Sequence, residues 1–166
     1  MSDEAARGAK ARRPTLSLKG RALKYLAMRE HSRVELMRKL GAHAETPDQV
    51  ATVLDELEAK GLLSAQRFAD SVLHRKAARF GAARLQAELA QHQLPADIAR
   101  EAAQSLRDTE FARAHALWAR RYGTPPDSPE DKARQMRFLA GRGFSSEVIR
   151  RILRGETPCP DGPADE

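Results

Sequence analysis

The sequence contains very little of what a disulfide framework, a cysteine metal site or a β-sheet requires. Cys159 is the single cysteine among 166 residues, so neither an internal disulfide nor a cysteine cage can form. The chain has 5 valines and 3 isoleucines against 29 alanines and 18 leucines. Alanine and leucine lose little on entering a helix, whereas β-branched residues favour strands. We therefore predict an all-α fold.

Long apolar segments are also missing. No apolar run approaches the roughly 20 residues that a membrane-spanning helix needs. The first residues lack the apolar core of a secretory signal. The sequence is therefore expected to belong to a cytoplasmic protein with no membrane contact.

The motifs of common enzyme classes are missing as well. There is no glycine-rich phosphate loop, no His-Glu-x-x-His and no nucleophile elbow. His31, His43, His74 and His92 share no i, i+4 spacing, which argues against a zinc site. His115 falls within an apolar stripe and is expected in the core. We predict a protein that is not an enzyme and that uses no metal and no cofactor.

Helix boundaries are well marked. Ser32 and Glu35 predict a capping box, in which each side chain hydrogen-bonds the backbone amide of the other residue. Thr46 and Ser128, each followed by proline, predict two further helix starts with the same device. The predicted helix stops are Gly41, Gly61, Gly123, Gly143 and Gly155.

The helices also repeat along the chain. Leu36 and Leu40 have counterparts 49 residues later in Leu85 and Leu89, and Leu139 lies 50 residues beyond Leu89. A spacing of this size is typical of stacked helical units, so we predict three tandem three-helix repeats in an elongated, curved array. The predicted segments are a disordered basic arm at 1–17, repeats at 18–63, 64–108 and 109–155, and a disordered acidic tail at 156–166.

The net charge of +6 is graded along the chain. Residues 25–63 hold 5 bases and 7 acids (−2), residues 64–108 hold 7 and 5 (+2), and residues 109–155 hold 10 and 5 (+5). The first 24 residues add +5 and the last 11 add −4. A basic surface on the second and third repeats favours an anionic partner. The basic arm could contact such a partner or could only increase solubility.

Helical geometry groups several arginines by face in the second repeat. On a helix predicted over residues 67–80, Arg75 and Arg79 stand at one edge of an apolar arc that includes Phe68 and Phe80. Their aliphatic stems can cover apolar surface while both guanidiniums reach the same way.

The third repeat shows the same pattern. Arg113 and Arg120 lie opposite an apolar stripe formed by Phe111, His115, Trp118 and Tyr122. Arg134 and Arg137 lie away from a core arc predicted for Ala133, Met136, Leu139 and Ala140. Phe138 could be exposed at an interface or buried against the neighbouring repeat. Arginine suits bidentate pairing with carboxylate or phosphate, so these faces are candidate contact surfaces.

Four segments carry a resemblance to a known family. The run from Ala22 to Leu40 (ALKYLAMREHSRVELMRKL) resembles the opening signature of the RecX family of recombination regulators. GLLSAQRFA at 61–69, GAARLQAEL at 81–89 and RGFS at 142–145 resemble later family elements, in the right order. The resemblance covers residues 21–155.

This resemblance implies a fold and a partner. RecX-like proteins are all-helical, with three tandem three-helix repeats, and bind the RecA recombinase, chiefly as its filament on single-stranded DNA. They limit filament growth, ATP hydrolysis, strand exchange and coprotease action. The family has no catalytic residues to transfer. The arginines within its motifs are interface candidates: Arg29, Arg33, Arg67, Arg84 and Arg142.

We therefore expect a monomeric, non-enzymatic inhibitor of the recombinase filament. The full set of candidate contact residues is Arg29, Arg33, Arg67, Arg75, Arg79, Arg84, Arg113, Arg120, Arg121, Arg134, Arg137 and Arg142. Two alternatives stay open. One is a direct DNA-binding module of helix-turn-helix type without a recombinase partner. The other is a generic protein-binding helical array.

Overall fold

The computed structural model describes residues 15–159, and within that range all regular structure is helical. This part of the chain forms nine helices and no strand. The helices are α1 (Leu18–Met28), α2 (Arg33–Gly41), α3 (Pro47–Ala59), α4 (Ala65–Lys76), α5 (Ala82–Ala90), α6 (Ala96–Asp108), α7 (Glu110–Arg121), α8 (Pro129–Ala140) and α9 (Ser146–Leu153). The all-α prediction is confirmed. None of these nine helices is long and apolar enough to cross a membrane.

The helices enclose three separate hydrophobic clusters, each built by three consecutive helices. Leu36 and Leu40 are fully buried in the cluster of α1–α3. Leu85 and Leu89 lie in the cluster of α4–α6, and Leu139 in that of α7–α9. The tandem three-helix organisation expected from their spacing is confirmed. We refer to α1–α3, α4–α6 and α7–α9 as the first, second and third units.

Helix starts follow the predicted capping in two of three cases. Ser32 Oγ accepts from the amide of Glu35, whose carboxylate accepts from the amide of Ser32. Ser128 caps α8 by accepting from the amide of Asp131, without the reciprocal bond of a capping box. The capping predicted for Thr46 is wrong, because its side chain makes no cap hydrogen bond. Proline at the first position of α3 provides the helical φ angle without it.

Four of the five predicted glycine stops are confirmed. The φ angles of Gly61, Gly123, Gly143 and Gly155 are all positive, between 68° and 83°. An L-amino acid rarely adopts this left-handed conformation, which explains glycine at these helix ends. Gly41 is different: it is the last residue of α2 and is followed by Ala42 in a right-handed helical conformation. The prediction of a stop of this kind at Gly41 is therefore wrong.

α4 is shorter than its sequence pattern indicated. It ends at Lys76, so Arg79 and Phe80 lie in the turn before α5 rather than on one helix over 67–80. Beyond this end, the carbonyls of Ala77 and Phe80 accept from the guanidinium of Arg113 at 2.6 and 2.7 Å. These carbonyls therefore need no partner from a longer helix.

α8 is rotated relative to its predicted core arc. Gln135 is 2% exposed, whereas Met136 is 39% exposed and Ala140 is exposed, so the prediction that both face the core is wrong. The amide oxygen of Gln135 accepts from the indole N–H of Trp118 at 2.6 Å. A polar side chain with its hydrogen bonds satisfied can be buried, and hydrophobic pattern alone does not reveal it.

One predicted core residue, His115, is only half-buried. The ring of His115 lies between those of Phe111 and Trp118, with centroid distances of 6.3 and 5.5 Å. In α1 the fully buried position is Ala22, while Leu23 is 37% exposed.

The second and third units are joined backbone to backbone. The amide of Gly81 donates to the carbonyl of Arg142 at 2.8 Å, and a side chain at Gly81 would collide with the backbone of Gly143. The buried carboxylate of Glu110 accepts from the amide of Ala82 at 2.9 Å, so the third unit also caps the start of α5.

The first and second units meet through side chains. Ser32 Oγ lies 2.8 Å from Nδ1 of His92, whose ring packs on Phe68 with a centroid distance of 4.6 Å. Nearby, Arg67 Nε donates to the carboxylate of Glu30 at 2.8 Å. This joint is polar and partly exposed.

Most of the predicted arm and tail, residues 1–14 and 160–166, lies outside the described residues. At the inner end of the arm, Ser17 caps α1 by accepting from the amide of Gly20. At the start of the tail, Glu156 accepts from Arg151 and Arg154, whose guanidiniums hold the pKa of its carboxyl below the usual value.

Candidate interface for an anionic partner

Four of the predicted contact arginines form ion pairs with carboxylates of this chain. Arg29 makes a bidentate pair with Glu35, at 3.0 and 3.1 Å. Arg33 pairs with Asp55 and Glu58. The other two pairs are Arg67 with Glu30 and Arg134 with Asp131. The positive charge of these four arginines is largely compensated within the protein.

Arg113 serves the joint between the second and third units. Besides its two bonds to the end of α4, it donates to the carbonyl of Leu106 at 2.8 Å. Burial lowers the pKa of this guanidinium, an effect that the nearby carboxylate of Glu110 partly offsets. With three internal carbonyls bound, Arg113 has an internal role, and we leave it out of the candidate interface.

Besides Arg113, seven predicted arginines have no carboxylate partner within residues 15–159, and all seven belong to the second and third units. These are Arg75, Arg79, Arg84, Arg120, Arg121, Arg137 and Arg142. Arg75 donates to the carbonyl of Ser71 and lines a pocket of about 170 Å³ between the first and second units. Of the remaining six, Arg79, Arg84, Arg121 and Arg142 lie next to aromatic rings. Arg120 lines a surface depression together with Arg121 and Arg142.

In the second unit, two guanidiniums lie over one phenylalanine. The guanidinium carbon of Arg84 is 4.2 Å from the ring centroid of Phe80, and that of Arg79 is 5.6 Å away. Phe80 itself packs against the core of the unit. The ring therefore contacts one side of both guanidiniums, while their N–H groups remain exposed.

The third unit repeats this arrangement around Phe138. The guanidinium carbons of Arg142 and Arg121 lie 4.6 and 5.6 Å from its ring centroid. The ring of Tyr122 meets Phe138 edge-on at 5.5 Å. Phe138 is half-buried, and it packs against the core of its own unit rather than against the neighbouring repeat, which was one of the two possibilities left open by the sequence. Arg120 and Arg121 line an open depression of about 370 Å³ beside it.

The two arrangements adjoin where the backbones of the units meet. Gly81 follows Phe80 and hydrogen-bonds the carbonyl of Arg142. A Cβ at Gly143 would lie 2.6 Å from that of Arg84, so the two clusters are in direct contact. We call this surface the arginine–aromatic stripe; it consists of Arg79, Phe80, Arg84, Arg121, Phe138 and Arg142.

The stripe is chemically suited to an anionic partner. Guanidinium groups bind phosphate and carboxylate oxygens through paired N–H donors. Stacking on a ring orients the group before binding, so less conformational entropy is lost when the partner arrives. The alternation of cations with aromatic rings is also typical of surfaces that bind single-stranded nucleic acid.

One sequence signal for this surface was overlooked. Arg79-Phe80 is followed by Arg84, and Arg137-Phe138 by Arg142, so the pattern Arg-Phe-x-x-x-Arg occurs in both units. In each copy the phenylalanine carries the second arginine of the pattern on its ring. A search for arginines near aromatic residues, rather than for arginines on one helix face, would have found it.

The described residues contain no group of three or more histidine, cysteine or acidic side chains that could hold a metal ion. His31 and His92 are engaged in the protein's own hydrogen bonds, with Arg29 and Ser32 respectively.

Comparisons with known proteins agree with this architecture. Residues 19–57 match the family model described as "RecX, first three-helix domain", and residues 108–153 match "RecX, third three-helix domain". The chain is 56% identical over 142 residues to the regulatory protein RecX of Leptothrix cholodnii, covering 86% of this chain and 90% of that protein. It is 52% identical over 143 residues to its counterpart in Ralstonia nicotianae, with the same coverage.

A solved structure shows the same fold. The crystal structure of RecX from Lactobacillus salivarius superimposes with a TM-score of 0.68 at 19% identity, covering 83% of this chain and 93% of that one. The two domain models and the identity to the curated relatives establish that the chain belongs to the RecX family of regulatory proteins.

Proposed function

We propose that this protein binds the filament that the RecA recombinase forms on single-stranded DNA and inhibits its recombinase, ATPase and coprotease activities. The observation that carries the proposal is the arginine–aromatic stripe, four guanidiniums without a carboxylate partner among residues 15–159. Membership of a family whose relatives are named regulatory protein RecX supports the partner.

The proposed mechanism is contact and not catalysis. The stripe crosses two units and therefore offers its four cations over an extended surface. DNA phosphates and acidic recombinase side chains are both suitable ligands for it. A monomer of this protein in the cytoplasm, without a cofactor, would restrain the filament by occupying these groups.

The direct test measures ATP hydrolysis by RecA on single-stranded DNA, with one copy of this protein for each recombinase subunit. We expect the unaltered protein to lower the rate. Arg121→Ala combined with Arg142→Ala removes both guanidiniums from Phe138, and at least ten times more of this variant should be needed for the same inhibition.

The matched control is Arg100→Ala combined with Arg150→Ala, which removes the same charge from exposed positions outside the stripe. It should inhibit like the unaltered protein. Absence of inhibition by the unaltered protein would contradict the proposed function. Equal losses in both double variants would show that only net charge matters, and the stripe would be rejected as the contact surface.

A second candidate function is direct binding to DNA without a recombinase, and the alternation of arginine with phenylalanine favours it. Fluorescence anisotropy with a labelled oligothymidylate and no RecA tests it. Each phosphate contact on a single strand contributes about −0.7 to the slope of log association constant against log salt concentration. If all four stripe arginines contact phosphates, this slope should therefore be about −3. Tight binding with this slope but no ATPase inhibition would favour the second candidate.

A further inference from the structure

A groove distinct from the stripe lies where the first unit faces the second. Its apolar lining, which we call the floor, consists of Val34 and Met37, which are half-buried and one turn apart on α2. Gln93, in the turn between α5 and α6, lines it from the second unit. The groove has a volume of about 430 Å³, and we call it the α2 groove. Arg33 and Arg38 complete its lining.

The charge on the rim of the groove is of one sign. The lining contains two arginines and no acidic residue. Arg33 is compensated by Asp55 and Glu58, at 2.7 and 2.8 Å. Arg38 is exposed, and no carboxylate of residues 15–159 pairs with it. One open cation therefore stands beside an aliphatic floor.

Gln93, which lines the groove from the second unit, has an unusual backbone conformation. Its φ angle is 50°, the only positive value for a residue other than glycine within residues 15–159. Long side chains seldom adopt this left-handed conformation. The strained turn presents the exposed amide of Gln93 at the groove, where it can donate to and accept from a bound backbone.

The residues that line the groove favour a protein ligand over a nucleic acid. Surfaces that bind single-stranded nucleic acid stack its bases on aromatic side chains, and no aromatic residue lines the groove. An aliphatic or aromatic side chain of a protein fits between Val34 and Met37, because the flexible thioether of methionine adapts to different shapes.

The segments of this chain outside the structure lack the required chemistry. Residues 1–14 hold 4 bases and 2 acids, a charge of the same sign as Arg38. Residues 160–166 (PDGPADE) are acidic but contain no apolar side chain larger than proline. Met1 with Asp3 and Glu4 is the one combination of an apolar side chain with carboxylates in these segments, and four basic residues follow it within residues 7–13. Those bases repel Arg38, so we assign the matching ligand to another protein.

We propose that the α2 groove binds an acidic segment of a partner protein, with one apolar side chain between Val34 and Met37 and a neighbouring carboxylate on Arg38. This surface is additional to the stripe and does not depend on the proposed function. Because the groove is lined by both units, a bound segment would also bridge the joint between them.

The test uses the full chain and a fluorescein-labelled peptide, Asp-Glu-Leu-Glu-Asp, in an anisotropy titration at low salt. The comparison peptide, Asp-Glu-Ala-Glu-Asp, has the same charge without the anchor. We expect the leucine peptide to bind at least five times more tightly than the alanine peptide. Equal affinities would overturn the proposal, because they would show that only charge is recognised.

Protein variants locate the binding. Arg38→Glu should weaken binding of the leucine peptide at least tenfold, while the control Arg100→Glu, with the same charge change at an exposed site of α6, should change it less than twofold. The double variant Arg121→Ala, Arg142→Ala should bind like the unaltered protein. Loss of binding in that double variant, or displacement of the peptide by oligothymidylate, would assign the peptide to the stripe and overturn the proposal.

Discussion

The two joints between units differ in the kind of atoms that meet. At the joint of the second and third units, backbone atoms of Gly81 contact backbone atoms at Arg142 and Gly143, and the carboxylate of Glu110 caps the start of α5. At the joint of the first and second units, side chains such as Ser32 and His92 make the contacts. A side chain can change rotamer, whereas a backbone contact shifts only if a whole helix moves.

This difference assigns different properties to the two candidate surfaces. The arginine–aromatic stripe lies across the backbone joint, so we expect its four guanidiniums to keep fixed relative positions. The α2 groove lies across the side-chain joint, and its width can follow small movements of the first unit. A fixed surface suits a regular ligand such as a phosphate backbone, and an adaptable groove suits a protein segment.

The strongest way to break the backbone joint is to add one carbon atom at Gly81. The new Cβ of Gly81→Ala would collide with the carbonyl group of Gly143, which cannot move aside as a side chain could. We expect a loss of about 3 kcal/mol in the free energy of unfolding, at the upper end for overpacking. Urea denaturation followed by circular dichroism measures it.

The control for this prediction is Gly41→Ala. A Cβ at Gly41 meets nothing within 4 Å, and the residue lies at the end of α2. This variant should be neutral or more stable by about 0.5 kcal/mol, because alanine loses less entropy in a helix. Equal destabilisation by both variants would contradict the difference in contact at Gly81.

A pair of arginines compares the two joints directly. Arg113→Ala leaves three carbonyls in the backbone joint without their donor and should cost about 2 kcal/mol. Arg67 also donates to two carbonyls, of Gly61 and Leu62, besides its pair with Glu30, but its side chain is 47% exposed. Water can replace it, so Arg67→Ala should cost less than about 1 kcal/mol. A larger loss for Arg67→Ala in urea denaturation would reverse our ranking of the joints.

Local features of the sequence were sufficient to predict most of the helices. The capping box of Ser32, the glycine stops and the spacing of Leu36, Leu85 and Leu139 depend on neighbouring residues and helical periodicity. These signals are encoded within a few turns. The all-α class and tandem three-helix organisation followed from them.

The contacts between units could not be predicted in the same way. Nothing near Arg113 in sequence indicates that its guanidinium binds the carbonyl of Ala77, 36 residues earlier at the end of α4. The burial of Gln135 likewise depends on the indole of Trp118. Assigning arginines to an interface by helix face therefore grouped Arg113 with Arg120, although only Arg120 is exposed. Interactions between distant segments decide which polar groups remain available.

Lowering the pH should produce the smallest of the expected differences in stability between the units. The titrating group is His31 of the first unit, which is 2% exposed. Its Nε2 lies 3.1 Å from the ammonium group of Lys39 and so accepts, while Nδ1–H donates to the carbonyl of Arg29 at 2.9 Å. Burial lowers the pKa of His31 below the usual 6.5, and the charges of Arg29 and Lys39 lower it further, although the hydrogen bond to Arg29 opposes this. The folded state therefore disfavours protonation, and the contribution of His31 to stability is complete above pH 6.5 and falls as the pH drops below that value.

Amide hydrogen exchange, corrected for the intrinsic pH dependence, should therefore show α1 and α2 losing protection below pH 6.5 before α5 and α7 do. The carboxyl of Glu35, whose pKa is lowered by hydrogen bonds from Arg29 and Ser32 that outweigh its burial, stays ionised in this range. His31→Gln keeps one donor and one acceptor but does not titrate, so it should abolish the early loss in the first unit. If protection in α1 and α2 still falls in that variant, another group is responsible, and the weakness of the first unit in acid does not originate at His31.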